Sequence, residues 1–522
     1  MKRILFLLIC FPIAVFAQER IMVITDPHVL ATSLMDTASL SFQTMIKDQR
    51  KMIQFSEESW MALVDTALAK QPDLILIPGD LTKDGEKASH QIVISQLQRL
   101  LDANIPTLVI PGNHDIGGTA YAYLSDKKES VESLSDAEWE STYAQTYNQI
   151  IAKDPASHSY VAEPLPGVTV LGIDGSHNSA STGSLSEETL AWLLAQVDNA
   201  KSKQNMIIAM SHWQLLEHVD KQTLMFSSSR FDNADAIRDS LMAHGVHLLL
   251  TGHFHVNSIS TYRDTTGLTN DSLVEISTGS PITYPCPYRW LTIAPDRSSL
   301  SVETNTLSAI PSQPDLYAYS RSWMAEHVQT LIPSMTLRLF DHADEALEMI
   351  RAYPLIGEVF ANLIEKSIPE TDSAKIALVQ KHLGSTIVDL YLLHSDGNEP
   401  DNPQADSLAQ ATYNGIEALL HEMTDETMKF FPDNQELLIT AALTLAREPV
   451  QSLVEDRTNW ISEQYSDVTD DLLLQLNTQE KLDEAIEYVK NCREDVFYDL
   501  LGRPIAHPQK GIYIHNGQKI SR

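Results

Sequence analysis

Cysteine is scarce, at three in 522 residues. That excludes a scaffold stapled by disulfides and a zinc domain built on thiolates. Positive charge is thin as well. Lys and Arg number 37 against 70 Asp and Glu, a formal net charge of −33. A protein that coats nucleic acid needs basic patches to neutralise phosphates, so that class is disfavoured. A small phosphorylated substrate is not, because a bound metal ion supplies local positive charge. Beyond the N-terminus no run of ~20 apolar residues occurs, so the mature chain is expected to be soluble. No Gly-x-Ser-x-Gly elbow follows an apolar run and no P-loop pattern is present, which removes serine hydrolases and P-loop NTPases. What the chain does have is 43% hydrophobic residues and length for two or three domains.

The N-terminus reads as a secretory signal. Lys2 and Arg3 precede an apolar run from Ile4 to Phe16, and Val15-Phe16-Ala17 offers a cleavage site before Gln18. Cys10 lies inside that run and not after a small-residue lipobox, so lipidation is not expected. Export would permit a bridge between Cys286 and Cys492, which the sequence alone leaves open.

Residues up to about 310 alternate short apolar runs with amphipathic stretches. Strands are expected at Arg20–Thr25, Asp73–Ile77, Thr107–Ile110, Val168–Ile173, Asn205–Met210 and Val246–Leu250. Their near-continuous apolar character suits strands covered on both faces. Helices are expected at Glu57–Lys70, Lys87–Leu101, Glu187–Ala200 and Ala234–His244. This rhythm predicts a layered α/β domain. From Pro311 the pattern turns helical, with Leu316–Leu331, Ala343–Ala352, Leu408–Met423 and Glu480–Asn491 as examples. More than half of the acidic excess falls on this shorter part, which suits a solvated helical surface. Near the C-terminus, Asn516-Gly517 between two apolar runs predicts a hairpin. With Tyr498–Arg503 and Lys510–Ile514 it resembles the C-terminal segment found on a class of exported bacterial proteins.

Five of the six expected strands run into metal-capable residues: Asp26-Pro27-His28, Gly79-Asp80, Gly112-Asn113-His114-Asp115, Ser211-His212 and Gly252-His253-Phe254-His255. In open α/β folds the carboxyl ends of strands gather ligands, so these residues can converge across more than 200 positions. Carboxylate, imidazole and amide oxygen suit Mn, Fe or Zn, and the set contains no thiolate. Two such ions ~3.5–4 Å apart can hold a bridging hydroxide and clamp phosphoryl oxygens. Asp80, on a turn, is the candidate bridge.

This ordered set resembles the calcineurin-like metallophosphoesterases over roughly residues 20–300, and within them the class III cyclic-nucleotide phosphodiesterases. The branch likeness rests on Gly79-Asp80-Leu81-Thr82 followed by Asp84-Gly85-Glu86, on Pro111–Ile116, on Ser211–His218 and on Ser277–Pro281 leading to Tyr288-Arg289. Trp213 departs from the pattern, standing where a second histidine is common. It is expected to alter the pocket wall and leave the metal set intact. A purple-acid-phosphatase type is disfavoured, because Leu81, Thr82 and Lys83 stand where that group carries a metal-binding Tyr.

The resemblance implies a four-layer αββα sandwich and two metal ions. Asp26, His28 and His255 would hold one, Asn113, His212 and His253 the other, with Asp80 between them. His114 would protonate the leaving oxygen or stabilise phosphoryl charge. Asp115 either orients His114 or caps the next turn. His218 and Arg289 are candidate substrate contacts, each with a structural alternative. Asp174 supports the site or makes a turn, and His177 reads as a loop histidine. The expected organisation is a signal peptide (1–17), a metallophosphoesterase domain (18–310), a helical domain (311–497) and a terminal hairpin segment (498–522). The expected function is exported hydrolysis of a phosphodiester, a cyclic nucleotide among the candidates, through attack by a metal-bridging hydroxide. A phosphomonoesterase of the same fold and a non-catalytic metal-site binding protein are the alternatives. The location would be periplasmic, cell-surface or secreted, and the partner a small phosphate ester.

Overall fold

The computed structural model describes residues 18–450, apart from position 48, 178–181, 221, 227, 264–271, 296–299, most of 342–356, 398–403, 430–434 and scattered later positions, together with short strands between 497 and 521. The chain divides into two compact units. One comprises Met1–Leu215, Ser228–Asn257 and Glu275–Met324; the other comprises Leu216–Ser227, Ser258–Val274 and Ala325–Arg522.

Short apolar runs become strands where the sequence places them. In the first sheet β1 (Glu19–Val23), β2 (Leu74–Ile77) and β3 (Thr107–Val109) run parallel. A two-strand ladder follows, β4 (Tyr121–Ala122) with β5 (Glu129–Ser130). A second sheet carries β6 (Ile150–Lys153), β7 (Tyr160–Leu165), β8 (Val168–Ile173), β9 (Met206–Ser211), β10 (Leu248–Thr251), β11 (Ser258–Arg263) and β12 (Ser272–Ser277). Its order is β11-β12-β10-β9-β8-β7-β6, with β8, β9 and β10 parallel. β13 (Pro287–Ile293) and β14 (Leu300–Thr306) return to the first sheet, giving β14-β13-β1-β2-β3 with β13 antiparallel to β1. Both sheets are therefore mixed.

Register sets the functional edge. Ile77 lies opposite Val109, so β2 and β3 end level. Ile173, Ser211 and Thr251 are likewise aligned across β8, β9 and β10. The metal-capable residues leave the sheets just after these level ends.

The four expected helices form with small boundary differences as α2 (Ser56–Lys70), α3 (Lys87–Asp102), α5 (Glu187–Ser202) and α7 (Ala234–His244), and three that were not expected join them, α1 (Leu40–Ile46), the short α4 (Trp139–Thr142) and the short α6 (Gln222–Met225). α2 buries Trp60, Leu63, Val64 and Ala67, one face of a helix, into the core that also contains Met22, Ile75 and Val109. α5 starts at Ser186, whose hydroxyl accepts from the Thr189 amide, and α7 stops at Gly245 in the left-handed region (φ 104°).

α8 (Leu316–Asp341) runs ten residues beyond its expected end and contains Pro333. It is followed by α9 (Gly357–Glu365), α10 (Asp372–Asp396) and α11 (Ala405–Met428). α10 and α11 pack through Leu390, Leu393, Ala405 and Ala409. The C-terminal region is thus helical, as expected. No described helix is long and apolar enough to cross a membrane. Four short strands, Phe497–Tyr498, Pro504–Ile505, Ile512–His515 and Gln518–Ser521, form a separate sheet. The expected signal segment 1–17, the helix 480–491, Cys492 and the turn 516–517 lie outside the described residues. Cys286 is buried, which pushes its thiol up to about 12.

Candidate metal centre

The loops after β1 and β2 continue side by side beyond their strands. The amides of Asp26, His28 and Val29 donate to the carbonyls of Gly79, Asp80 and Leu81 at 3.0–3.1 Å. Within this run Asp26, His28 and Asp80 have φ of 54°, 42° and 52°, and across the centre His253 and His255 have 67° and 60°. Left-handed backbone at five non-glycine positions is costly, and the hydrogen bonds around them hold it in place. Gly112 and Gly252 make the convergence possible. A Cβ on Gly112 would collide with the Asp80 carboxylate, and one on Gly252 with the Asp26 carboxylate.

The side chains meet in two groups. In the first, His255 Nε2 is 3.1 Å from Asp26 Oδ1 and 3.1 Å from His28 Nε2. In the second, Asn113 Oδ1 lies 3.0 Å from His212 Nε2 and 3.1 Å from His253 Nδ1, and the two imidazole nitrogens are 3.2 Å apart. Asp80 Oδ2 is 3.4 Å from His28 Nε2 and 3.3 Å from His212 Nε2, so one carboxylate oxygen faces both groups. All seven expected ligands are therefore brought together.

The donor set fits metal ions. Acceptor atoms crowd within about 3 Å of one another with too few protons to pair them all. Burial raises the cost of charging Asp80, yet His212, His114 and His28 outweigh it and hold its carboxyl well below the usual range. Burial opposes a proton on His212 too, but Asp80 wins and pushes that imidazole up to about 9. Burial, with His212 adding to it, drives His253 down to about 3, leaving a lone pair facing the centre. The site draws in positive charge and presents neutral imidazole beside carboxylate, the pattern of borderline metal sites. Backbone carbonyls fix two tautomers: His212 Nδ1 meets Pro78 O at 3.0 Å, and His253 Nε2 meets Ser228 O at 2.9 Å.

Other expected residues fall variously. The His114 amide donates to Asp80 Oδ1 at 2.9 Å, and its ring, a third exposed, lies 5.0 Å from the His28 ring. Asp115 does not orient that ring. Its carboxylate accepts from the Gly112, Leu81 and Thr82 amides and the Thr82 hydroxyl, stapling the two loops together. Burial, then the charge of Asp80, pushes Asp115 up to about 7. The orienting carboxylate is Asp84, whose Oδ1 is 2.9 Å from His114 Nδ1 while Lys83 pairs with its other oxygen. Trp213 packs its ring 4.0 Å from that of His253 and donates its indole N–H to Ser176. Asp174 takes the turn role, accepting from the His158 and Ser176 amides. Arg289 lies buried in β13 and donates to the Ser277 carbonyl. His218 belongs to the second unit, where it is buried and its amide donates to Gln222. A further histidine pair, His158 and His177, meets Asp136 at 2.8 and 3.0 Å, and hydrogen bonds to one half-exposed carboxylate account for it.

One neighbour of the centre was not anticipated. Lys51 Nζ stands 3.5 Å from His28 Nε2. The signal for it was the basic cluster Arg50-Lys51 in an acidic chain.

Residues 19–257 match the calcineurin-like phosphoesterase family. This part of the chain is a calcineurin-like metallophosphoesterase. Relatives of this phosphoesterase include a probable glycerophosphodiester phosphodiesterase GpdQ of Arcobacter nitrofigilis, 28% identical over 191 residues (36% of this chain, 58% of the relative). A probable cyclic nucleotide phosphodiesterase of Moraxella catarrhalis is 28% identical over 201 residues (38% and 64%). The serine/threonine-protein phosphatase CPPED1 of Homo sapiens is 23% identical over 220 residues (41% and 62%). The chain spans about 60% of the length of these curated relatives.

Proposed function

We propose that this chain hydrolyses a phosphodiester at the centre formed by Asp26, His28, Asp80, Asn113, His212, His253 and His255. The observation that carries the reading is the single Asp80 oxygen facing two three-ligand groups at 3.3–3.4 Å. Two ions of Mn, Fe or Zn type held there supply water activation and neutralise phosphoryl charge. The residues of the chain do the rest. His114, with Nδ1 held by Asp84, keeps Nε2 for the leaving oxygen and delivers a proton to it. Asp115 fixes the loops that carry Asp80 and Asn113, so the ligands are placed before substrate arrives. Trp213, packed on His253, walls the second group.

Diester chemistry draws support from the two phosphodiesterases among the relatives. A cyclic nucleotide is one candidate within that class. The second reading, a phosphomonoesterase, is favoured by Lys51, because a monoester carries more negative charge than a diester. Export, to periplasm, cell surface or medium, rests on the N-terminal signal and the C-terminal segment as sequences. The domain limits 18–310 and 311–497 belong to the same proposal.

The test compares turnover of bis-p-nitrophenyl phosphate and p-nitrophenyl phosphate by Mn²⁺-loaded protein. Faster diester turnover supports the proposal, equal or faster monoester turnover moves the function to a phosphatase, and no turnover of either overturns both. His114→Asn separates enzyme from binder: loss of rate with metal retained marks an enzyme.

A further inference from the structure

Resting on the phosphoester reading, we propose that Lys51 binds an anionic oxygen of the substrate beside the first ligand group. The centre would then select a substrate with negative charge beyond the single charge of a simple diester. Two observations converge. Lys51 Nζ reaches 3.5 Å from His28 Nε2, at the centre itself. The carboxylates of the centre are already committed, Asp26 and Asp80 to the ligand groups and Asp84 to His114 and Lys83. Among the described residues Lys51 has no carboxylate of its own within salt-bridge distance. An ammonium at the centre without a carboxylate partner has room for an anionic oxygen, and an incoming phosphate supplies one.

The loop carrying it is built to hold it. The Met52 amide donates to Ile282 O at 2.7 Å, and the Trp323 indole donates to Gln49 O at 3.1 Å. Met52 and Ile53 are fully buried. Lys51 therefore projects from a segment pinned on both sides, which keeps the entropy lost on binding small.

Two substrates share this chemistry: a phosphomonoester dianion, and a diester with a neighbouring anionic group. The experiment uses full-length Mn²⁺-loaded protein, Lys51→Met and Lys51→Arg, with inorganic phosphate as the probe in calorimetry and metal content measured in parallel. Lys51→Met should weaken phosphate binding about tenfold or more, leave metal content unchanged and raise KM for p-nitrophenyl phosphate more than for bis-p-nitrophenyl phosphate. Lys51→Arg should restore most of the affinity. A matching KM rise on a carboxylate-bearing diester assigns the site to both sources, and a rise on the monoester alone assigns it to the dianion. Phosphate affinity within twofold of wild type, or loss of metal from Lys51→Met, overturns the proposal. Lys51-dependent phosphate binding without turnover of any ester would sink the hydrolase reading and leave this one standing.

Discussion

The two halves of the metal centre use the same residue types but are supported differently. In the half formed by Asn113, His212 and His253, both imidazoles rest their second nitrogen on a backbone carbonyl, and Trp213 packs against His253. In the half formed by Asp26, His28 and His255, His28 Nδ1 is buried without a hydrogen-bond partner among the described residues, and Lys51 stands beside Nε2. A braced imidazole is a better-oriented and more basic ligand. A nearby ammonium repels a cation and attracts an anion. The comparison teaches an asymmetry: one half is braced to orient its donors, and the other has a cation beside it.

The largest expected effect comes from removing what the halves share. Asp80→Asn should release both ions and cut turnover on the order of 10³-fold or more, several kcal/mol of transition-state stabilisation. Retention of both ions by this variant, measured by elemental analysis, would show that the halves do not depend on a common carboxylate. Next comes Asp84→Asn, which touches neither half directly. It should lower kcat about 100-fold, within the range of general acid catalysis, with metal content unchanged. An unchanged kcat would remove His114 and Asp84 from the chemistry.

Metal removal sharpens the asymmetry itself. Titration of the Mn²⁺-loaded protein with a chelator, followed by electron paramagnetic resonance, should proceed in two steps. The ion beside Lys51 should leave first, with affinities differing about 10- to 100-fold, the usual worth of outer-sphere support. A single step would mean that the bracing is energetically idle.

The smallest effect concerns the scaffold behind both halves. His90 is buried against Asp115 O and the Tyr143 hydroxyl, and burial drives it down to about 4. Its unfolded value is near 6.5, so the unfolded chain binds the extra proton between these limits. Stability is therefore full above about pH 6.5 and falls as pH drops towards 4, by at most about 3 kcal/mol. Denaturant melts of His90→Gln should show a flatter pH dependence there. An unaltered slope would place the acid sensitivity elsewhere.

Much of this centre was legible because metal ligands at strand ends leave a double mark, an apolar run and then a polar residue of restricted type. β1, β2, β3, β8, β9 and β10 were found that way, and so were the seven side chains that the structure brings together. β4 to β7 and β11 to β14 were not; β14 (Leu300–Thr306), antiparallel to β13 and partly exposed, carries polar residues that resemble loop sequence. The partner of His114 was misplaced for another reason. Adjacency suggested Asp115, but that carboxylate closes onto backbone amides, and Asp84 arrives from the loop after β2. Lys51 sits in a segment without periodicity, and only folding brings it to His28. Sequence spacing reports what a strand carries to its end; it is silent on what a loop folds back to meet.

The most direct measurement is anomalous diffraction from crystals of the Mn²⁺-loaded protein. Two peaks ~3.5–4 Å apart, one on each side of Asp80 and both within bonding distance of its carboxylate, are predicted. A single peak, or two that do not share Asp80, would contradict the two-ion centre from which the chemistry is derived.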